Sequence, residues 1–138
     1  MTTKTYSGGC HCGAVRYEAE IDLAAGTNRC NCSICSKARA WFVFVPKSRL
    51  RLTAKPDALA DYQWAPEGRD AHLHYRFCKT CGVRLFAEGD HPTLGGPFYA
   101  VAVATIEDAD PDELAGKIKY VDGAHDRYDR TPQDTRLM

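Results

Sequence analysis

Seven cysteines fall into three tight groups, and their spacing limits what this chain can fold into more than any other feature. They read Cys10-His11-Cys12, Cys30-Asn31-Cys32-Ser33-Ile34-Cys35 and Cys78-Lys79-Thr80-Cys81-Gly82. Groups this close hold a soft, thiolate-loving metal, most often zinc. Four ligands close a tetrahedral structural site, whereas three leave one corner open for chemistry. Seven divides into four and three. A disulfide scaffold fits poorly, because the count is odd and C-x-C spacing is awkward for bridging.

The compartment matters to that reading. Met1 to Gly9 carries one lysine and no apolar core, so no secretory signal is read there. A reducing cytoplasm is the expectation, and paired thiols there hold metal rather than bridge. The 138 residues predict a single domain, with a core over about residues 6–123 and a polar tail. Eighteen basic residues balance 18 acidic ones, which argues against a nucleic-acid partner. The longest fully apolar run, Phe98 to Ala104, is far short of the about 20 residues that cross a bilayer, so no membrane partner is expected.

Short strands dominate the pattern. Thr5 to Gly9 leads into the first cysteine pair, and Ala14 to Ala19 alternates apolar with polar residues. Trp41 to Val45 is aromatic and β-branched, and Pro46 stops it. Further strands are expected at Leu50–Thr53, Leu59–Trp64, Ala71–Phe77, Val83–Phe86, Phe98–Ala104 and Ile118–Val121. One short helix is expected near the C-terminus. Asp110 is its N-cap, Pro111 its first turn, and Asp112 and Glu113 suit its positive end. The class is mainly β, with short strands joined by Gly, Pro and Asp turns.

The C-x-x-C turn at Cys78 and Cys81 sits between two predicted strands, and the glycine after it permits a positive φ. Pairing it with Cys10 and Cys12 gives a closed four-sulfur site, which adds folding free energy. Cys30, Cys32 and Cys35 then remain as a three-sulfur site with an open corner. Three thiolates donate much charge to zinc, so a bound water is less acidified than on three histidines. The open corner suits an incoming thiol better than hydrolysis. Spacing also permits a second partition, in which Cys32 and Cys35 join Cys78 and Cys81 and leave Cys10, Cys12 and Cys30.

The order C-x-C-G, C-x-C-x-x-C, F-C-x-x-C-G resembles the glutathione-dependent formaldehyde-activating enzyme (GFA) family. Gly9 to Gly13, Cys30 to Cys35 and Phe77 to Gly82 carry the resemblance, with Ala14-Val15-Arg16-Tyr17 and Tyr120-Val121-Asp122-Gly123 beside them. It implies a zinc-pinned, Mss4-like β-tent of short antiparallel strands. It implies two zinc ions per chain: a structural zinc on Cys10, Cys12, Cys78 and Cys81, and a second, open zinc on Cys30, Cys32 and Cys35. The activity it implies is of the S-(hydroxymethyl)glutathione synthase type, a carbon–sulfur lyase. Such an enzyme joins a thiol such as glutathione to a small aldehyde such as formaldehyde, or reverses that addition. The alternative is a non-enzymatic, zinc-stabilised binding module, since fold does not fix function. One departure stands inside the middle motif. The family commonly reads C-H-C there, and this chain has Asn31, which can only hydrogen-bond.

Other residues are weaker candidates. His11 is expected to point away from the metal, and His72 and His74 to lie on an exposed strand face. His91 falls in a Gly- and Pro-rich loop, Gly89 to Pro97, that reads as a surface turn or a cover for the site. His125 is the best candidate outside the cysteine groups. Trp41, Phe42 and Phe44 follow the open cluster as core or as an apolar wall. Lys37 and Arg39 stand either in a solvated turn or against the carboxylate of a peptide-like thiol.

Overall fold

The computed structural model describes residues 3–68 and 73–138. Ten strands form two sheets among them. The small sheet holds β1 (Lys4–Gly9), β2 (Val15–Ile21) and β5 (Leu50–Ala54), in the order β1-β2-β5. The large one runs β10-β3-β4-β9-β8-β7-β6. Its members are β3 (Thr27–Cys30), β4 (Trp41–Pro46), β6 (Leu59–Trp64), β7 (Leu73–Cys78), β8 (Arg84–His91), β9 (Gly96–Ala102) and β10 (Ile118–Val121). The fold is of the mainly β, Mss4-like class that the family resemblance implies.

Alternation places the core. Val15, Tyr17, Ala19 and Ile21 of β2 are buried while Glu18 and Glu20 between them are exposed. They pack against Val43, Val45, Leu85 and Val101 of the large sheet and against Val103 just beyond β9. Each such aliphatic side chain contributes about 1.5–3 kcal/mol on burial. Gly8 is glycine because Tyr17 crosses it: a β-carbon there would meet the Tyr17 ring at 2.4 Å. The Tyr17 hydroxyl goes on to Thr105 Oγ1 at 2.7 Å, which ties the small sheet to the end of β9.

Four local features differ from the sequence expectations. The strand expected over Phe98–Ala104 begins at Gly96 and ends at Ala102, and a 3-10 turn, Val103–Thr105, turns Val103 and Thr105 inward. The stretch Gly89–Pro97 is mostly not a loop, because β8 runs on to His91 and pairs with β9. Gly89 is there for packing: a β-carbon would meet Leu73 at 2.5 Å and the Phe98 ring at 2.7 Å. A helix, α1 (Ser33–Ala38), forms inside the middle cysteine group, ahead of the expected C-terminal helix α2 (Pro111–Leu114). Asp110 caps α2 as expected, accepting from the Glu113 amide at 2.9 Å.

The remaining difference positions the site. β10 pairs parallel with β3, unlike every other strand pair, with Val121 opposite Cys30. A parallel neighbour brings the residues after Val121 out of the sheet on the same side as those after Cys30. The segment from Asp122 onward therefore lies beside Asn31 and the middle cysteines.

Candidate metal centres

Two knuckles of like construction meet at the first cluster. The Cys10 amide donates to the Val15 carbonyl at 3.1 Å, and the Cys78 amide to the Val83 carbonyl at 3.0 Å. Gly13 at φ 84° and Gly82 at φ 77° close the two turns, each in the left-handed region that glycine tolerates. The result gathers Cys10, Cys12, Cys78 and Cys81, with all four sulfurs within 4.8 Å of one another. Cys10 and Cys12 sulfurs are 3.7 Å apart, and Cys12 and Cys78 sulfurs 3.6 Å. A tetrahedral zinc with bonds near 2.3 Å separates its sulfurs by about 3.7–3.8 Å, so the four sulfurs fit one ion. Backbone amides lower the Cys78 and Cys81 thiols. The Cys12 amide, then that of Val83, pulls the Cys81 thiol down to about 6.

The second cluster is local. Cys30 ends β3, Cys32 is the N-cap of α1 and Cys35 lies in the first turn of that helix. Their sulfurs also lie within 4.8 Å of one another. Three thiols this close bias one another's ionisation. Cys32 is pulled down to about 3, first by the Cys30 and Cys35 thiols and then by the first amides of α1, while Cys30 and Cys35 are pushed up. A divalent cation is the partner that lets all three ionise together. No histidine or carboxylate joins this group among the described residues.

Around it stand the groups that make it a site. Val121, Ile34, Phe42 and Trp64 pack against the three cysteines. Gly123 lies so close that a β-carbon would meet Cys30 Sγ at 2.4 Å and Cys32 Cβ at 3.2 Å. Asn31 spans to the same segment: its Nδ2 donates to Asp122 Oδ1 at 3.0 Å, and its Oδ1 accepts from the Ala124 amide at 2.9 Å. Asp122, 3% exposed, also meets His125 Nδ1 at 2.9 Å and accepts from Arg130 Nη2 at 3.0 Å. Asn31, His125 and Arg130, in that order, hold its carboxyl down at about 2. The tail stays on the body through Asp122, whose amide donates to the Arg130 carbonyl at 3.1 Å, and through buried Pro132.

The weaker candidates separate. His11 is exposed. His74 Nδ1 lies 2.9 Å from Asp61 of β6, and His72 lies outside the described residues. His91 Nδ1 accepts from the Thr93 amide at 3.2 Å and so serves the β8–β9 turn. Of the aromatic trio, Trp41 packs on the main core and Phe42 on the second cluster, while Phe44 is 40% exposed. Arg39 faces the second cluster's cavity, and Lys37 does not line it. Sequence reasoning missed Asp122 and Arg130. The only signal for Asp122 was its place directly after a predicted strand, within Tyr120-Val121-Asp122-Gly123.

Fold and site together define a mainly β protein with two cysteine clusters, each able to hold a metal ion and compatible with zinc. The family profile described as "Glutathione-dependent formaldehyde-activating enzyme" matches residues 5–121, and the chain belongs to that family. The family is one of glutathione-dependent formaldehyde activation. A solved Rhodobacter sphaeroides protein is similar in structure, with TM-score 0.63 and 30% identity, over 83% of this chain and 99% of that one. Among the described residues, no helix is long and apolar enough to cross a membrane.

Proposed function

We propose that this chain binds two zinc ions and uses the second to add a thiol to a small aldehyde, or to reverse that addition. Cys10, Cys12, Cys78 and Cys81 would hold the structural ion, and Cys30, Cys32 and Cys35 the other. The observation that carries the reading is the second cluster's incomplete donor set, three sulfurs with no fourth protein ligand grouped with them among the described residues. A zinc ion held there by Cys30, Cys32 and Cys35 would lower the pKa of a thiol substrate and so supply a nucleophilic thiolate at neutral pH.

The chain's own residues do the rest. Ile34, Phe42 and Trp64 pack as an apolar wall against the cluster, and Asn31 holds the cysteine loop to Asp122 and Ala124. In the addition, a carbon–sulfur bond forms, the carbonyl π bond breaks, and the thiol's proton ends on the aldehyde oxygen. The product is a hemithioacetal and nothing is oxidised or reduced. His125 is held by Asp122 with its side chain 71% exposed, which links this network to solvent.

The test is the exchange rate of glutathione and formaldehyde with S-hydroxymethylglutathione, followed by NMR on zinc-loaded protein. The expected result is a rate above the uncatalysed one that Cys35→Ser abolishes. An unchanged rate, across several thiols and aldehydes, overturns the enzymatic reading and leaves a zinc-stabilised binding module.

A further inference from the structure

The large sheet has a second apolar face. Val43, Val45 and Val101 point from one side of it into the main core. On the other side the register lines up Phe44, Ala100, Ala87, Tyr75 and Tyr62, one each from β4, β9, β8, β7 and β6. None of the five is charged. An antiparallel sheet with its core on one side carries polar residues where the other side meets water. Here Phe44 is 40% and Tyr62 54% exposed, so the row is an apolar surface that a ligand can reach.

The row has a shape as well. Its middle members, Ala100 and Ala87, are small, and rings stand on either side of them. Strands lie about 4.8 Å apart, so Phe44 and Tyr75, three strands apart, bound a floor about 14 Å across. The rings are held in place. Phe44 meets Phe42 at 5.3 Å and Phe98 at 5.5 Å, both edge to face, and Tyr75 lies 6.4 Å from Tyr62. The neighbouring row closes one end, because Leu73 and the Phe98 ring reach over Gly89, at 2.5 and 2.7 Å from where a β-carbon would be. The other end is the second cluster. Asn28 is opposite Phe42, so Cys30, two residues on, and its partner Val121 belong to this face too. Phe42 and Trp64 pack against the cysteines. Burial first, and then Cys35 and Cys32, push the Tyr75 hydroxyl up, which sets that ring beside the same sulfurs.

We propose that this trough holds the substituent of the aldehyde, so that the carbonyl substrate of this chain carries an aromatic ring or an apolar group of similar size. Continuity with the cysteines selects a substrate group over a protein partner: the floor starts at side chains that touch the cluster and ends against Leu73 and Phe98. Alanine methyls between rings gain most from a flat apolar group that leaves water. Formaldehyde, with only hydrogen on its carbon, has nothing to place there. The ring rests on Ala100 and Ala87 while the carbonyl carbon lies toward Cys30, Cys32 and Cys35. This inference rests on the thiol–aldehyde reading of the second cluster.

The experiment is the exchange of glutathione with propanal and with 3-phenylpropanal, which differ by one ring. It is followed by NMR on zinc-loaded protein, each aldehyde against its own uncatalysed rate. Wild type is expected to accelerate the phenyl aldehyde about tenfold more, the low end of what one extra apolar group is worth in a fitted pocket. Ala100→Leu, which fills the floor, should bring that ratio to near unity. Phe44→Thr, which removes a wall at an exposed position and keeps a strand-forming residue, should do the same. A second readout needs no turnover. Benzyl alcohol, titrated into protein with isotope-labelled alanine methyls, should shift Ala87 and Ala100 first and saturably. Equal acceleration of the two aldehydes, acceleration of formaldehyde alone, or Ala87 and Ala100 methyls that do not move overturns the trough as a substituent site and leaves the thiol–aldehyde reading standing. If the methyls move but neither aldehyde nor formaldehyde is accelerated, the thiol–aldehyde reading itself falls, and the assignment of the occupant with it.

Discussion

The two cysteine clusters use the same atoms in opposite ways. The first is stitched from distant turns, Cys12 and Cys78 being 66 positions apart, and two of its members, Cys10 and Cys78, belong to the main core at 3% and 0% exposure. The second is built within six residues, sits outside that core in a satellite of its own, and is closed by Val121 and the tail. Long-range ligands make a metal part of the folding free energy, because no site exists until the chain has folded. Local ligands would leave a bound metal dispensable to the fold and free to exchange.

Cysteine replacement breaks this comparison most directly. Cys78→Ser is expected to abolish the cooperative fold, since a structural zinc is worth on the order of 10 kcal/mol, as much as a whole domain's stability. Cys35→Ser is expected to remove one metal per chain and move the melting temperature by only a few degrees. Metal analysis and thermal melting of the two variants check this. Equal losses of stability would end the distinction between the clusters.

A milder test leaves the sequence intact. Under a graded chelator, the expected order is release of one metal equivalent with unchanged far-ultraviolet circular dichroism, then release of the second together with unfolding. A chromophoric chelator and the dichroism signal, read on the same sample, give the order. Simultaneous release would mean that the clusters are thermodynamically one.

Much of this division was legible in the residues. Nine strands were readable, several from apolar residues alternating with polar ones, as in Ala14–Ala19, and others, such as Trp41–Val45 and Phe98–Ala104, as short aromatic and β-branched runs. β3 was not, because Thr27-Asn28-Arg29-Cys30 carries no such alternation and is made a strand by β10 and β4 on either side. α1 escaped notice because six residues are under two turns, and Cys32 and Cys35 read as a loop of ligands. The cysteine groups were visible as sequence, but their surroundings were not. Asp122 comes beside Asn31 because β10 pairs parallel with β3, and Arg130 follows through Asp122, which no local pattern announces. Asn31 read as a missing histidine, whereas in the fold it is the bond between the cysteine loop and the tail.

The closeness of that tail gives the next test. Gly123→Ala places a methyl 2.4 Å from where Cys30 Sγ lies, so either the segment or the sulfur must move. The expected cost is about 1–3 kcal/mol, as for other overpacking changes. It should fall on the second cluster alone, as weaker retention of the second metal against a chelator. A loss of the first metal as well would show that strain at Gly123 reaches the main core.

The smallest expected effect concerns Asp122, which holds the tail to the second cluster and has no counterpart at the first. Its carboxyl sits at about 2 in the folded chain, below the roughly 3.9 of an unfolded aspartate. The native state therefore binds that proton less readily than the unfolded one. The stability it supplies is complete above about pH 4 and is lost as pH falls through about 2. Asp122→Asn keeps the shape of the side chain and removes the charge that Arg130 and His125 meet. The difference in stability between wild type and Asp122→Asn should thus be constant near neutrality and shrink between about pH 4 and 2. Protonation of the cysteines is common to both proteins and cancels from that difference. Limited proteolysis after Arg127 or Arg130, followed across the same range, tells whether the tail alone is released. A difference that stays constant down to pH 2 would mean that Asp122 contributes by its hydrogen bonds to Asn31 and not by its charge.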